Sequence, residues 1–178
     1  ALAALGLILF GACLLMLPFA THPGVTISFL DALFTATSAV CVTGLIVVDT
    51  PQDFTLFGQS VVLGLIQIGG LGYALMATMI LLILGRRLGL RDRMMLSESM
   101  NTMDLQGLVR FVKLVAMITF GLEGLGAVLL TLRFAVDLPW GTAAYYGIFH
   151  AISAFNNAGF ALFSDSFKSF QTDWTING

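Results

Sequence analysis

The chain has 178 residues, of which 58% are hydrophobic and 10% charged, where soluble domains average about 45–50% apolar and about 25% charged. So little charge cannot cover a soluble globule, which excludes a cytosolic enzyme domain, a disordered tail and an ordinary nucleic-acid binder. Eight Lys/Arg against ten Asp/Glu give a net charge of −2 and nothing that invites a phosphate backbone. The reading is an all-α polytopic membrane protein.

A spanning helix needs about 20 predominantly apolar residues. Ala1 to Phe19 carries no charge and is the first expected span. No basic region or cleavage site precedes it, so a signal peptide is not expected. Phe29 to Val48 is apolar but interrupted by Asp31, a Thr-Ala-Thr-Ser cluster and Thr43-Gly44. Leu56 to Leu84 runs 29 residues without a charge and is the second span. Leu114 to Leu132 is the third, with one charge, Glu123. Ala143 to Phe155 is only 13 residues long and stops at Asn156-Asn157. The close at Ile176-Asn177-Gly178 is that expected of a piece of a longer protein.

The two short stretches suit half-helices that enter the membrane, stop and return as loops. Non-helical backbone at that depth survives only inside protein or along a wet cavity. They also resemble each other. An offset of 115 residues places Phe34 on Phe149, Ala36 on Ala151, Ser38 on Ser153, Ala39 on Ala154 and Gly44 on Gly159. The expected plan is span, pore half-helix, re-entrant filter loop, span, used once and begun again. It divides the chain into 1–84, a basic connector 85–113, and an incomplete second copy 114–178.

Orientation follows the basic residues. Six of the eight lie between Arg86 and Lys113. The positive-inside rule makes that connector and the N-terminus cytoplasmic, so the half-helices open outward. Asp49, Asp53, Asp137, Asp165 and Asp173 then face the outside, opposed by Arg133 and Lys168. They are read either as a cation-concentrating vestibule or as ordinary solvated loop charges.

Cys41-Val42-Thr43-Gly44 and Asn156-Asn157-Ala158-Gly159 are the candidate ion-filter strands. A cation filter replaces the ion's water with rings of backbone carbonyls. Glycine supplies the dihedrals that aim them at least cost. The half-helix C-termini would add partial negative charge. Asn156 and Asn157 would serve through backbone carbonyls or brace with side-chain amides. Thr35, Thr37 and Ser38 are expected to bond back to helix carbonyls. Glu123 reads as a carboxylate facing the bundle, either attracting cations or bonded to backbone and hydroxyl groups. Gly64, Gly69, Gly70 and Gly72 suit close packing against the pore loop. His22 and His150 lack a second ligand and are given no metal role, and Ser153 matches Ser38. No HExxH, GxSxG or Cys/His cluster marks an enzyme. A secondary transporter of another cation or small solute, built on broken helices, is the alternative.

At these residues a family becomes recognisable. DALFTATSAVCVTGLIVVDT (31–50) and FHAISAFNNAGFALFSDSF (149–167) resemble the first two pore loops of the Trk/Ktr/HKT potassium transporters, and QIGGLGY (67–73) resembles the helix that closes the first repeat. The connector with SESMN and LVRFVK looks most like the bacterial Ktr-type membrane subunit. The resemblance implies four repeats around one potassium path in the cell membrane, each giving one filter glycine. Gly44 and Gly159 match the first two. It implies a homodimer, no resident cofactor, Na+ as a candidate coupling or activating ion, and a cytoplasmic nucleotide-binding RCK-type ring. Arg86, Arg87, Arg91 and Arg93 are candidates for docking that ring, or serve only as a topology signal beside lipid headgroups. Thr35, Ser38, Ser153 and Glu123 would support the filter.

Overall fold

The computed structural model describes residues 2–85 and 105–163. Among these residues all regular elements are helical: α1 (Leu2–Leu15), α2 (Phe29–Val40), α3 (Thr50–Asp53), α4 (Leu56–Gly85), α5 (Leu105–Phe134) and α6 (Trp140–Phe155). Two are long and apolar enough to cross a membrane, within Leu56–Tyr73 and Val112–Phe134. These are the second and third expected spans.

The first expected span is shorter than its apolar run. α1 stops being helical at Leu15, four residues before the apolar run ends at Phe19. The chain after Leu15 turns because it is tied to the start of α4. Thr55 Oγ1 donates to the Phe19 carbonyl at 2.7 Å. The Thr55 N–H reaches the Ala20 carbonyl and the His22 N–H the Asp53 carbonyl, both at 3.0 Å. At the other end of the chain's basic stretch, α5 starts at Leu105 and takes in residues expected in the connector. Arg and Lys are good helix formers, so Arg110 and Lys113 do not interrupt it.

The chain folds as two compact units, residues 1–70 with 122–178, and residues 71–121. The described part of the second consists of the later half of α4 and the earlier half of α5. The first contains α1 packed on α2, together with α3, α6 and the remaining parts of α4 and α5. Its core combines alanines (Ala12, Ala32, Ala36, Ala39) with Leu15, Phe54, Val62, Ile66 and Phe149. Small residues let helices approach closely, which supplies van der Waals contact where lipid offers no hydrophobic drive.

α2 begins with a capping box. Ser28 Oγ accepts from the Asp31 N–H at 3.2 Å, and the Asp31 carboxylate accepts from the Ser28 N–H at 3.2 Å and from its hydroxyl at 2.6 Å. Two orphan donors of the first turn are thereby satisfied.

The two helices matched by the 115-residue offset end alike. α2 stops at Val40 and α6 at Phe155. The Thr43 N–H bonds back to the Ser38 carbonyl at 3.0 Å and the Val42 N–H to that of Ala39 at 3.3 Å. In α6 the Ala158 N–H bonds to the Ser153 carbonyl at 2.7 Å and the Asn157 N–H to that of Ala154 at 3.0 Å. These are two Schellman motifs, which need a left-handed residue just past the helix. Val42 holds that place at φ 54° and Asn157 at φ 55°. Gly44 and Gly159 follow at φ 71° each.

Two stability predictions follow from these ends. Ser28→Ala in the full-length protein is expected to cost about 1 kcal/mol, read as a lower Tm in detergent. Asn157→Val puts a β-branched residue into the left-handed region and is expected to cost about 1–2 kcal/mol, whereas Asn157→Gly stays within about 0.5 kcal/mol of wild type. Equal Tm values for the Val and Gly variants would contradict the assigned turn.

Candidate ion filter

The two turns meet. A Cβ on Gly44 would stand 2.8 Å from the Ala158 carbonyl oxygen and 3.0 Å from the Gly159 Cα, and one on Gly159 would stand 3.0 Å from the Gly44 Cα. Glycine is therefore required twice over at each position, by its positive φ and by the opposing backbone. In a plain extended strand successive carbonyls point to opposite sides. Left-handed residues at alternate positions, 42 with 44 and 157 with 159, break that alternation. Among the described residues, the carbonyls of Cys41 to Gly44 and of Asn156 to Gly159 accept no hydrogen bond. Backbone carbonyls in a folded interior normally find a donor, so each turn carries a run of open acceptors.

Hydroxyls hold each turn to its own helix. Thr43 Oγ1 donates to Ser38 Oγ at 3.0 Å, and Ser153 Oγ donates to the Phe160 carbonyl at 2.6 Å. Ser38 thus faces its loop rather than a helix carbonyl. Thr35 and Thr37 do bond back, to the Asp31 carbonyl at 2.8 Å and the Leu33 carbonyl at 2.7 Å. His150, the counterpart of Thr35, latches the strand that leaves the second turn. Its Nε2 accepts from the Leu162 N–H at 3.0 Å and its Nδ1 lies 2.7 Å from the Tyr146 carbonyl. Those two partners fix the Nδ1–H tautomer. Among the described residues no cluster of ligands could hold a metal.

α4 braces both helix ends from one side. A Cβ on Gly69 would collide with the Val40 carbonyl at the end of α2, and one on Gly70 with the Asn156 side-chain oxygen at the end of α6. Gly64 and Gly72 have open space around them, so two of the four glycines in this span serve close approach. Glu123 of α5 is only 4% exposed. It accepts from Gln67 Nε2 at 3.0 Å and from Asn156 Nδ2 at 3.1 Å. Its partners are side-chain amides, not the backbone and hydroxyl groups expected from sequence. Asn156 also donates to the Ile152 carbonyl at 2.9 Å, so its side chain braces the turn.

Gln67 is the site residue that sequence reasoning passed over. The available signal was polarity, because an amide inside an apolar span is expected to face protein rather than lipid. A second such amide, Gln59, accepts from Tyr145 Oη at 3.0 Å and donates to the Phe54 carbonyl at 2.9 Å, tying α6 to α4.

Two of the acidic residues expected on the outer side have local partners. The Asp53 carboxylate accepts from the Asp49 N–H at 2.6 Å, and Asp137 pairs with Arg133 at 2.8 Å. Asp165, Lys168 and Asp173 lie outside the described residues, as do Arg86, Arg87, Arg91 and Arg93.

Comparison with known proteins fits this geometry. The family described as cation transport protein TrkH matches residues 12–177. The Ktr system potassium uptake proteins B of Bacillus subtilis and Vibrio alginolyticus are each 46% identical to the chain, over 170 and 172 residues, or 96% and 97% of it. The potassium/sodium uptake protein NtpJ of Enterococcus hirae is 38% identical over 167 residues, or 94% of the chain. The matches cover 38%, 37% and 37% of those relatives, so the chain spans under two-fifths of their length. Matched along nearly its whole length, the chain belongs to the TrkH family of membrane cation transport proteins and is most akin, among these relatives, to the Ktr-type membrane subunit.

Proposed function

We propose that the chain forms part of the ion path of a Ktr-type potassium uptake subunit in the cell membrane, with the carbonyls of Cys41 to Gly44 and of Asn156 to Gly159 as two sides of its selectivity filter. The observation that carries this reading is the pair of turns with left-handed residues at matched positions, glycines face to face and carbonyls that accept no hydrogen bond among the described residues. Oxygen atoms held open by backbone geometry can replace the water around a potassium ion. The last turns of α2 and α6 add partial negative charge at the same place.

In this reading 1–84 is one span–half-helix–span repeat, 85–113 a cytoplasmic connector and 114–178 the start of a second repeat. The half-helices enter from outside and the N-terminus lies inside, as the basic connector requires. Thr35, Ser38 and Ser153 support the filter through their hydroxyls, and Glu123 through Asn156. Potassium is the transported ion, and Na+ is a coupling or activating ion, in keeping with the potassium/sodium name of one relative. The subunit pairs with a second copy. The word "system" in the relatives' names supports a further component, for which Arg86, Arg87, Arg91 and Arg93 of the connector are the docking candidates toward a cytoplasmic RCK-type ring.

The test is potassium uptake by the full-length parent, expressed with its regulatory component in bacteria lacking their own uptake systems. Wild type is expected to restore growth at low potassium. Gly44→Asp, at matched membrane abundance, is expected to lower uptake about tenfold or more, equivalent to about 1.4 kcal/mol, or to change the ion preferred. Potassium-selective uptake at the wild-type level by this variant would remove Gly44 from the filter. Saturable uptake of another solute without potassium transport would favour the alternative carrier.

A further inference from the structure

We infer that Gln67 is a positioning residue for the second filter turn, acting through Glu123 on Asn156; the inference rests on the filter reading of residues 156–159. Three elements converge on Asn156, the residue that caps α6. Its amide donates to one oxygen of the Glu123 carboxylate and Gln67 donates to the other, so both oxygens are engaged. One turn further along α4 from Gln67, the Gly70 Cα packs against the Asn156 side-chain oxygen. Asn156 is thereby fixed at both ends of its amide, and with it the start of the carbonyl run.

Gln67 gives up something to do this. With Nε2 turned to Glu123, its own Oε1 is buried and, among the described residues, accepts no hydrogen bond. Its geometry is explained by what it orients. A carboxylate inside a spanning helix needs donors, and Gln67 supplies the one that ties Glu123 to α4. Among the described residues the first turn has no such amide–carboxylate tie. Cys41 stands where Asn156 stands, and its side chain is exposed. The first turn relies on its own helix-end bonds, on the Ser38–Thr43 pair and on the close approach of the Val40 carbonyl to Gly69. Among the described residues, the second turn is thus tied to α4 and α5 by side-chain hydrogen bonds that have no counterpart at the first.

The experiment uses the full-length transporter with its regulatory component, at matched membrane abundance, and reads KM for potassium, maximal uptake and potassium-over-sodium preference. Gln67→Leu removes the donor and is expected to shift the preference and KM about three- to tenfold, the scale on which contacting residues couple. A purely structural role would lower abundance or maximal uptake and leave both unchanged. The exchange Gln67→Glu with Glu123→Gln keeps an oxygen at 123 for Asn156 and an N–H there for the carboxylate at 67. It is expected to return preference and KM to within about twofold of wild type. If Gln67→Leu does not reach the membrane, Gln67→Met, close to it in shape, takes its place. Gly159→Ala serves as the reference. Wild-type KM and preference for Gln67→Leu, with an altered preference for Gly159→Ala, would overturn the inference and leave the filter standing. An exchange variant no better than Gln67→Leu would also overturn it. An unaltered preference in Gly159→Ala would bring down the filter reading and the inference together.

Discussion

A helix that stops must account for its last carbonyls, and everything else in the larger unit follows from how two helices do so. α2 and α6 each close their final turn with two backbone bonds around a left-handed residue. Those bonds satisfy the carbonyls of Ser38 and Ala39 and of Ser153 and Ala154, and among the described residues the carbonyls from 41 to 44 and from 156 to 159 accept none. The turns that expose free acceptors are thus the turns that end the helices, and neither feature requires the other to be given up. The glycines two residues later let the opposing backbones come together.

Bringing two helix ends to one place requires a support that intrudes on neither. α4 supplies it by omission and by addition. At Gly69 and Gly70 it has no side chain, so the Val40 carbonyl and the Asn156 amide can approach its backbone. One turn earlier, Gln67 reaches out to the carboxylate that α5 contributes. A buried carboxylate is expensive unless its oxygens are paired, and here the pairing doubles as a tie among α4, α5 and the end of α6. The hydroxyl and histidine bonds within each half-helix segment then hold the strands leaving the turns.

Much of this could be seen in the residues. Apolar runs marked α4 and α5 because a spanning helix must be apolar over most of its length. The matched glycines marked the turns because φ near 71° is open to few other residues. Other features lacked a local signal. Met16 to Phe19 stays apolar, so hydropathy extends the first span past Leu15, where backbone bonds to residues 53 and 55 turn the chain. The start of α5 was masked by charge, which marks topology but does not break helices. The partners of Glu123 lie 56 and 33 residues away, and no periodicity announces a contact of that kind. Asp53 and Asp137 have local partners, the Asp49 N–H and Arg133, which no composition argument announces.

The two turns agree in backbone yet share none of the three residues before the glycine: Cys41-Val42-Thr43 stands opposite Asn156-Asn157-Ala158. The same pair of main-chain bonds closes both turns, so the side chains there can differ from one turn to the other. A pore assembled from identical chains repeats every substitution on all sides at once. A pore whose sides are successive stretches of one chain is free of that symmetry, and each side can be packed, braced or polarised separately while the carbonyl scaffold stays the same. Even a β-branched residue is carried in the left-handed place of the first turn. The two turns therefore separate what is alike in both, the backbone path, from what differs between them, the side chains that line it.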